Sequence, residues 1–394
     1  MEFIQLKQAL DDIVENYNTP GVDCIVHCNH TEVFRYFRGV SDINTQKPIT
    51  GNELYTIFSM TKMLTCTCAL QLFEQGKFLM DDPLSKYIGE FETMKIADDI
   101  TQIDDGDKIT RGSIASGSGA TQSSRYAQNP ITILDLFTMS AGLDYDLWSD
   151  SIKSAISEGK TSTRELVGAM AQTVLGFEPG THFKYSLCHD VLGALIEIWS
   201  GLSLGEYMKK NLFDPLGMTS TFFGIPEDGA RLERMAQRYE FDSDGNLITL
   251  PLEIMHNLSS NYESGGAGLV SSTSDYSLFL DAISCYGKGK NGNRILSPSS
   301  VELMRTNHLS GKSLDDFQNL RKGYGYGLGV RTHIDPLNSG SLSPKGEFGW
   351  DGAAGAFSLV DLKNSISMVY FQQVHNWDLQ IQTKLRNALY ASII

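Results

Sequence analysis

Ser59 and Lys62, separated by Met60 and Thr61, are the residues of the sequence best suited to nucleophilic chemistry. On an α-helix, residues three positions apart share a face about 4.5 Å apart along the axis, so an amine can reach a hydroxyl. The pair opens an apolar segment, and a lysine withdrawn from water there loses its proton more readily. The neutral amine can then act as a base for the serine. The alternative is a serine that caps the helix beside a lysine whose ammonium reaches solvent.

Two other serine patterns compete with this pair. Ser157 and Lys160 repeat the spacing, but they lie in a polar stretch interrupted by Gly159, which is typical of a surface. Residues 201–205, GLSLG, match the nucleophile elbow of α/β-hydrolases, which requires a strand before the serine. Because the preceding residues have helical periodicity, we interpret the glycines around Ser203 as an interhelical turn.

Tyr185 and two glycine-rich segments are further candidates for a site. Tyr185 lies between the turn at 179–180 and a predicted helix. Near a lysine ammonium its phenolate becomes accessible, so it could shuttle protons, whereas the alternative is a packing residue whose hydroxyl is satisfied locally. The segments 263–276 and 348–357 place glycines beside predicted strands, which indicates close backbone approach or an edge facing a ligand.

The elements that must position these residues follow from hydrophobic periodicity. We predict a first amphipathic helix, strands at 22–29 and 32–39, and a helix from Ser59 to Gly76. Further helices are predicted at about 131–140, 163–175, 188–200 and 204–212, followed by strands in the final quarter and a closing helix. Strands at both ends around a helical middle predict one sheet built from both chain ends. The polar stretch 98–129 is predicted to be a flexible rim of the active-site mouth.

The composition excludes several classes of function. The 394 residues carry a formal net charge of −15, which argues against nucleic acids and anionic membrane surfaces as partners. No apolar run is long enough to span a bilayer, and the first residues lack the pattern of a secretory signal, so we predict a cytoplasmic protein. The six cysteines include no CxxC pair, so we predict buried free thiols at positions 24, 28, 66 and 68 and no metal site.

The order of three motifs resembles the serine β-lactamase and penicillin-binding-protein superfamily. The motifs are Ser59-Met60-Thr61-Lys62, Tyr185-Ser186-Leu187 and Trp350-Asp351-Gly352, and the strongest likeness is to class C β-lactamases and family VIII carboxylesterases. Shorter similarities run along most of the chain: DDPLSKYI (81–88), PITILDLFTMSAGL (130–143), EPGTHFKYS (178–186), DPLGM (214–218), GGAGLVSSTSDYSLF (265–279) and GYGLGV (325–330).

The resemblance implies an α+β fold with an antiparallel sheet, flanking helices and an inserted, mainly helical lobe. Residues 1–394 would form one catalytic unit, with 1–58 and 320–394 in the α/β lobe and 59–319 in the helical lobe.

The resemblance also implies roles for individual residues. Ser59 would be the acylated nucleophile, Lys62 its base, and Tyr185 the general acid/base that protonates the leaving group and activates the deacylating water. The backbone N–H groups of Ser59 and Ala353 would form the oxyanion hole. The substrate would contact Leu187 together with the third motif, Trp350-Asp351-Gly352.

Three positions depart from the β-lactamase pattern. Leu187 replaces an asparagine, the third motif is Trp-Asp-Gly where β-lactamases have Lys-Thr-Gly, and Met139 occupies a usual histidine position that we cannot interpret. An ionised Asp351 facing the site would repel carboxylates, which predicts a preference for neutral or cationic substrates. The alternative is that Asp351 points away along its strand and pairs with a cation, because neighbouring strand residues face opposite ways.

We therefore predict a serine hydrolase that cleaves a small-molecule ester or amide through an acyl-enzyme, without metal or cofactor. A carboxylesterase fits best. The alternatives on the same site are a D-amino-acid amidase or peptidase, an acyltransferase, and a weak β-lactamase. A non-catalytic sensor or binding module is less favoured, because Ser59, Lys62 and Tyr185 are all present. The acyl group and the oligomeric state stay open.

Overall fold

A computed structural model of the protein describes residues 2–97, 124–253 and 256–393. Most of the predicted flexible rim, residues 98–123, lies outside the described residues. Within the described ranges, strands predominate towards both ends of the chain and helices between them.

The strands are short except for those at the centre of the main sheet. They are β1 (Gly21–Cys28), β2 (Thr31–Asp42), β3 (Lys47–Pro48), β4 (Tyr55–Thr56), β5 (Lys95–Ala97), β6 (Ser124–Tyr126), β7 (Phe222–Phe223), β8 (Arg238–Phe241), β9 (Leu247–Leu250), β10 (Leu269–Ser271), β11 (Tyr324–Tyr326), β12 (Arg331–His333), β13 (Phe348–Gly349), β14 (Phe357–Asp361), β15 (Ile366–Phe371) and β16 (Val374–His375).

The helices fill the middle of the chain and cover the sheet. They are α1 (Ile4–Asn16), α2 (Thr61–Glu74), α3 (Ile133–Phe137), α4 (Asp150–Ser157), α5 (Thr163–Met170), α6 (Cys188–Ser200), α7 (Leu204–Met208), α8 (Asp214–Leu216), α9 (Gly229–Leu232), α10 (Thr273–Ser284), α11 (Pro298–Arg305), α12 (Gly311–Leu320), α13 (Pro336–Ser339) and α14 (Gln380–Ser392). None of the helices in the described ranges combines the length and the apolar character that a membrane crossing requires.

The main sheet joins the two ends of the chain. Its strand order is β11-β12-β13-β14-β15-β1-β2-β3, and every neighbouring pair is antiparallel. The join is the pairing of β1 with β15, from Asp23 opposite Phe371 to Cys28 opposite Ile366. The predicted sheet built from both chain ends is thereby confirmed, whereas the division of the chain into lobes at residues 58 and 320 stays a prediction.

The two faces of this sheet pack against different helices. Val22, Cys24 and Val26 of β1 lie in one core cluster with apolar residues of α1 and α14, while Ile25 lies in the larger core around α2, α6 and α10. This alternation follows from the period of two in a strand. Helix α2 lies within the larger core and is buried on all sides from Thr61 to Leu72. Such a helix needs no polar face.

Several predicted helices end earlier than expected. The segment predicted at 131–140 is helical only in α3, because the chain adopts a left-handed conformation at Met139, with φ of 58°. The segment predicted at 204–212 is α7 followed by a π-helical turn, Lys209–Phe213. The interhelical turn is confirmed: Gly201 ends α6 with φ of 74°, and the Ser203 hydroxyl caps α7 by accepting the N–H of Glu206.

All six cysteines are free thiols. Cys24, Cys66 and Cys68 are buried, as predicted, but Cys28 is only half-buried.

Candidate active site

Ser59 lies in a tight 3₁₀ turn, Phe58–Met60, between β4 and α2. The preceding residue, Phe58, has a φ of 45°, a conformation that costs a non-glycine residue about 1–3 kcal/mol. Both sides of the turn are held: the N–H of Ile57 donates to the carbonyl of Leu269 at 3.1 Å, and the Tyr276 hydroxyl donates to the carbonyl of Met60 at 2.9 Å. The half-buried serine is therefore fixed just before α2.

Lys62 is completely buried beside this serine. Its Nζ lies 3.4 Å from Ser59 Oγ and donates to the carbonyl oxygen of Gly266 at 2.7 Å. Gly266 belongs to the glycine-rich segment before β10, and a Cβ there would lie 3.3 Å from Lys62 Nζ and overlap a carboxyl oxygen of Asp190. The close backbone approach predicted for this segment is thus observed, and it holds the lysine against the serine.

Tyr185 brings the second motif to the same place. It lies in extended chain just before α6, and Lys62 Nζ is 4.6 Å from the centre of its ring. Trp350 of the third motif stacks on this ring at 5.6 Å and donates its indole N–H to the Tyr185 hydroxyl at 3.3 Å. The structure therefore brings together Ser59, Lys62, Tyr185 and Trp350.

Gly352 of the third motif packs against the chain just before Ser59. The N–H of Gly352 donates to the carbonyl of Ala356 at 2.8 Å, and a Cβ on Gly352 would lie 2.7 Å from the carbonyl oxygen of Ile57. Only a glycine allows this contact, which fixes the backbone at 352 against the chain two residues before Ser59. Ala353 is the next residue along the chain. The role of its amide in an oxyanion hole stays a prediction.

Comparison with known proteins identifies the family and the fold. A sequence profile of the Beta-lactamase family matches residues 6–391. The chain belongs to this family. Protein Rv1367c of Mycobacterium tuberculosis is 28% identical over 87% of the chain and 82% of its own length, and Esterase EstB of Burkholderia gladioli is 24% identical over 98% and 95%. The structure of EstCE1, described as a hydrolase with promiscuous acyltransferase activity, matches with a TM-score of 0.77 at 23% identity, covering 98% of both chains.

Tyr145 also belongs to this group of side chains, although no sequence pattern indicated it. Its ring stacks on Tyr185 with centres 5.5 Å apart and planes 6° apart, and Lys62 Nζ lies 5.3 Å from the ring centre. The Tyr145 hydroxyl lies 3.3 Å from Nε2 of His256. Its local sequence, LDYDLW, is that of an ordinary polar loop, so no local pattern distinguishes this tyrosine.

Asp190 was missed as well. It is completely buried in α6, and one carboxyl oxygen accepts hydrogen bonds from the Tyr262 hydroxyl at 2.9 Å and from Ser264 Oγ at 2.6 Å. The other oxygen accepts no hydrogen bond from the described residues and lies against Gly266. The sequence carries a signal here, since an aspartate within the apolar helix CHDVLGALIEIW requires a buried partner.

The electrostatics of Lys62 differ from the expectation. Burial lowers the pKa of the amine, but Tyr145, Tyr185 and Asp190, each of which can carry negative charge, raise that pKa by more. The net effect is a pKa above the ordinary value of a lysine. The surroundings of Lys62 therefore oppose the effect of burial, and a neutral Lys62 amine in the reaction stays a prediction.

Asp351 pairs with cationic side chains of the protein, which is the alternative to a carboxylate that faces the substrate. Its carboxylate accepts hydrogen bonds from Arg331 at 2.5 Å and from Arg321 at 3.3 Å. Burial raises the pKa of Asp351, but the arginines outweigh it, so the pKa lies below the ordinary value. Because this charge is already balanced, the expectation that Asp351 repels carboxylate substrates has lost its basis.

Leu187 and Met139 contact the chain around the second motif. Leu187 is buried at the start of α6, and its N–H donates to the carbonyl of Asp144 at 3.1 Å. The carbonyl of Met139 accepts the N–H of Lys184 at 2.9 Å, and its sulfur accepts the Ser186 hydroxyl at 3.7 Å. Met139 therefore holds the chain on both sides of Tyr185, which gives a physical account of a residue that the sequence left uninterpreted.

A second serine–lysine pair and a group of metal-binding residue types lie elsewhere. Lys160, one turn after Ser157, pairs with Glu158 at 2.9 Å on the surface, as predicted. His30, Asp281 and Cys285 place potential ligand atoms within 4.8 Å of one another. However, the backbone N–H and Nδ1 of His30 already bind both carboxyl oxygens of Asp281, at 3.0 and 2.8 Å. This contact holds the β1–β2 turn against α10.

Proposed function

We propose that the protein is a serine hydrolase that cleaves small esters or amides through an acyl-enzyme formed on Ser59. The observation that carries the proposal is the approach of Ser59 Oγ to a completely buried lysine amine, at 3.4 Å. A lysine without access to water is costly unless its charge has a use or a partner. Here the same amine faces Tyr185, the second candidate for proton transfer.

Each residue has a defined part in the reaction. The Lys62 ammonium favours negative charge on the neighbouring oxygens of Ser59 and Tyr185. The Lys62–Tyr185 pair reacts in the form that lacks one proton: Ser59 Oγ attacks the substrate carbonyl carbon and its proton passes to the pair. The amides of Ser59 and Ala353 stabilise the tetrahedral oxyanion. Tyr185 gives this proton to the leaving group as the bond to it breaks. A water molecule, deprotonated by the same pair, then attacks the acyl-enzyme, and the pair returns the proton to Ser59 Oγ as the acid leaves.

A carboxylesterase activity is the preferred form of this proposal. The similarity to EstB and EstCE1 supports this activity, because EstB is named an esterase and EstCE1 is described as a hydrolase. Acyl transfer to a second nucleophile in place of water is the main alternative, and the description of EstCE1 supports that too. Amidase, peptidase and weak β-lactamase activities use the same acyl-enzyme. A cytoplasmic location and the absence of a cofactor remain parts of the proposal.

The first test uses p-nitrophenyl butyrate and a fluorophosphonate probe. Wild-type protein should hydrolyse the ester and take up one label on Ser59, and Ser59→Ala should lose both. Ser203→Ala is the matched control, because Ser203 caps α7 and should leave both unchanged. A label mapped to Ser203, or full activity in Ser59→Ala, would refute the proposal. A protein that is acylated once on Ser59 and never turns over would instead be a sensor.

The second test examines Lys62 and Tyr185 as a unit. Lys62→Ala, Tyr185→Phe and the double variant should each lose several orders of magnitude in kcat and reach a similar floor, because groups that act together cannot be lost twice. Near-normal turnover by Tyr185→Phe would show that another residue protonates the leaving group.

A further inference from the structure

A cluster of three basic side chains surrounds Phe58, the residue before the candidate nucleophile. The guanidinium of Arg238 lies 5.3 Å from the centre of the Phe58 ring, and the rings of His375 and His256 pack edge-on against it at 5.1 and 6.3 Å. Arg238 comes from β8, His375 from the neighbouring parallel strand β16, and His256 from the segment after β9. We call these three residues the Phe58 basic cluster.

The cluster contains a deeply buried charge with no acidic partner in the described ranges. Arg238 is 6% exposed, and the only hydrogen bond of its guanidinium to the described residues joins Nη1 to the carbonyl of Glu253 at 2.8 Å. The buried nitrogens Nε of Arg238, Nδ1 of His256 and Nε2 of His375 have no hydrogen-bond partner among the described residues. Buried polar atoms are normally paired, so three free nitrogens around one ring indicate a place for an acceptor from outside the chain.

The other buried arginines of the described ranges also have unpaired nitrogens, but they differ from Arg238 in having a carboxylate partner. Arg331, 1% exposed, pairs with Asp351 and Glu347, and Arg386, 3% exposed, pairs with Glu347 at 3.4 Å. Each of these guanidiniums has a carboxylate from the protein, as a buried cation requires. Arg238 has none, so a carboxylate from a ligand would complete its surroundings in the same way.

The two histidines add hydrogen-bond donors and no charge near neutral pH. Burial, with the charges of Lys62 and Arg238, lowers the pKa of His256 to about 3, and burial with Arg238 lowers the pKa of His375 to about 4. A neutral imidazole keeps one N–H. The cluster therefore combines one permanent positive charge with two neutral rings, each of which can donate one hydrogen bond to an anionic oxygen.

The cluster is directly connected to the reacting residues. Phe58 precedes Ser59 in the strained turn, and His256 contacts the Tyr145 hydroxyl at 3.3 Å. The Tyr145 ring in turn faces Lys62. The cluster is therefore linked to the nucleophile through Phe58 and to Lys62 through Tyr145.

We propose that Arg238, with His256 and His375, binds a carboxylate of the substrate, so that the enzyme acts on esters or amides that carry a carboxylate close to the scissile bond. This inference rests on the proposed function, because it assigns the substrate class of the same site. It reverses the expectation drawn from Asp351. A guanidinium–carboxylate contact in a sheltered site supplies both charge and geometry, which a neutral substrate of the same size cannot use.

The test compares kcat/KM within two matched pairs of esters. In the first pair the carboxylate is on the acyl group: mono-p-nitrophenyl glutarate against p-nitrophenyl butyrate. In the second it is on the leaving group: 4-acetoxybenzoate against phenyl acetate. The wild-type enzyme should prefer the anionic member of at least one pair. Arg238→Gln should reduce that anionic-to-neutral ratio about 10- to 100-fold, the usual effect of removing a charged hydrogen-bond partner.

The control is Arg231→Gln, which removes the same charge from an exposed arginine of α9 outside the cluster. It should leave the ratio unchanged. An equal loss on both members of a pair in Arg238→Gln would indicate a structural role and overturn the proposal, as would a wild-type preference for the neutral member of both pairs. Absence of any Ser59-dependent hydrolysis of all four esters, anionic and neutral, would refute the proposed function instead.

A measurement on the wild-type enzyme covers the case in which Arg238→Gln does not fold. Glutarate should inhibit hydrolysis of p-nitrophenyl butyrate competitively and more strongly than glutaramide, which has the same length without charge. Equal or weaker inhibition by glutarate would overturn the proposal without any variant.

Discussion

Replacing Asp351 with Asn should destabilise the fold more than it changes which substrates are accepted. Asp351 is one member of a buried ionic network: Arg331 lies 2.5 Å from it and is 1% exposed, and Arg331 also faces Glu347 at 3.5 Å. Arg331 gives a further hydrogen bond to the carbonyl of Ser358 at 2.7 Å. The amide of Asn keeps the shape and removes the charge, so Arg331 loses the nearer of its two carboxylates.

The size of the effect follows from what remains around Arg331. Removing one partner of a buried ion pair costs about 3–5 kcal/mol. The remaining carboxylate of Glu347 offsets part of this, so we expect a loss of about 2–4 kcal/mol in the free energy of unfolding. With the entropy of unfolding expected for 394 residues, a loss of that size lowers Tm by about 2–5 °C. Arg321→Gln, which removes only the half-exposed second partner, should cost about 1 kcal/mol or less.

The assay is thermal and urea unfolding of wild type, Asp351→Asn and Arg321→Gln, with ester kinetics on the same samples. The arginines hold the pKa of Asp351 below its ordinary value, so its stabilisation is fully present at neutral pH and is lost as the pH falls through the folded-state pKa. The stability difference between wild type and Asp351→Asn should therefore narrow below about pH 4. Unchanged Tm together with a gain in activity on carboxylate esters relative to neutral ones would restore Asp351 as a substrate-facing charge and refute this reasoning.

Three further substitutions address the centre of the site. Gly266→Ala introduces a methyl group beside Lys62 Nζ and should reduce kcat/KM at least about 100-fold, because small displacements of a reacting group have effects of that size. Unaltered kinetics would mean that the segment around Gly266 can move to accommodate the methyl group. Tyr145→Phe keeps the stacked ring and loses one hydroxyl contact, so kcat should fall about 10-fold or less, whereas a loss as large as that of Tyr185→Phe would make Tyr145 the general acid. Burial and the charge of Lys62 lower the pKa of His189 to about 3 in the folded protein. As the pH falls, His189 is therefore protonated in the unfolded chain before it is protonated in the folded one, and the free energy of unfolding should decrease by about 2 kcal/mol between pH 7 and pH 5. His189→Asn should flatten that slope in urea titrations at the two pH values, and an unchanged slope would contradict the assignment.

The main sheet could be predicted because its signal is local. The strands at 22–29 and 32–39 alternate or concentrate apolar residues over a few positions, and the structure has β1 and β2 within a few residues of those bounds. Helix ends were less predictable, because they depend on single residues. A left-handed Met139 and the capping hydroxyl of Ser203 determine where α3 and α7 lie, and neither conformation follows from periodicity.

The site could be predicted only in part, for a different physical reason. Ser59, Lys62 and Tyr185 carry recognisable motifs, and the structure brings them into contact. Tyr145 and Asp190 carry none, and they reach Lys62 only through the packing of a loop and α6 around it. The proton affinity of Lys62 depends on those two residues and on Tyr185 as well as on its own burial, so no argument from the serine–lysine spacing alone could give its charge state.

The same reasoning applies to the two charges that were expected to determine the choice of substrate. Asp351 lies within a recognised motif, but two arginines from outside the motif balance it, so its charge is unavailable to a substrate. Arg238 belongs to no motif, and none of the described residues offers it a carboxylate. A charge beside an active site acts on a substrate only to the extent that the protein has not already neutralised it. The unbalanced guanidinium of Arg238 therefore favours anionic over neutral substrates. The net charge of −15 on the whole chain does not reverse this preference, because long-range repulsion of anions is screened within about 8–10 Å.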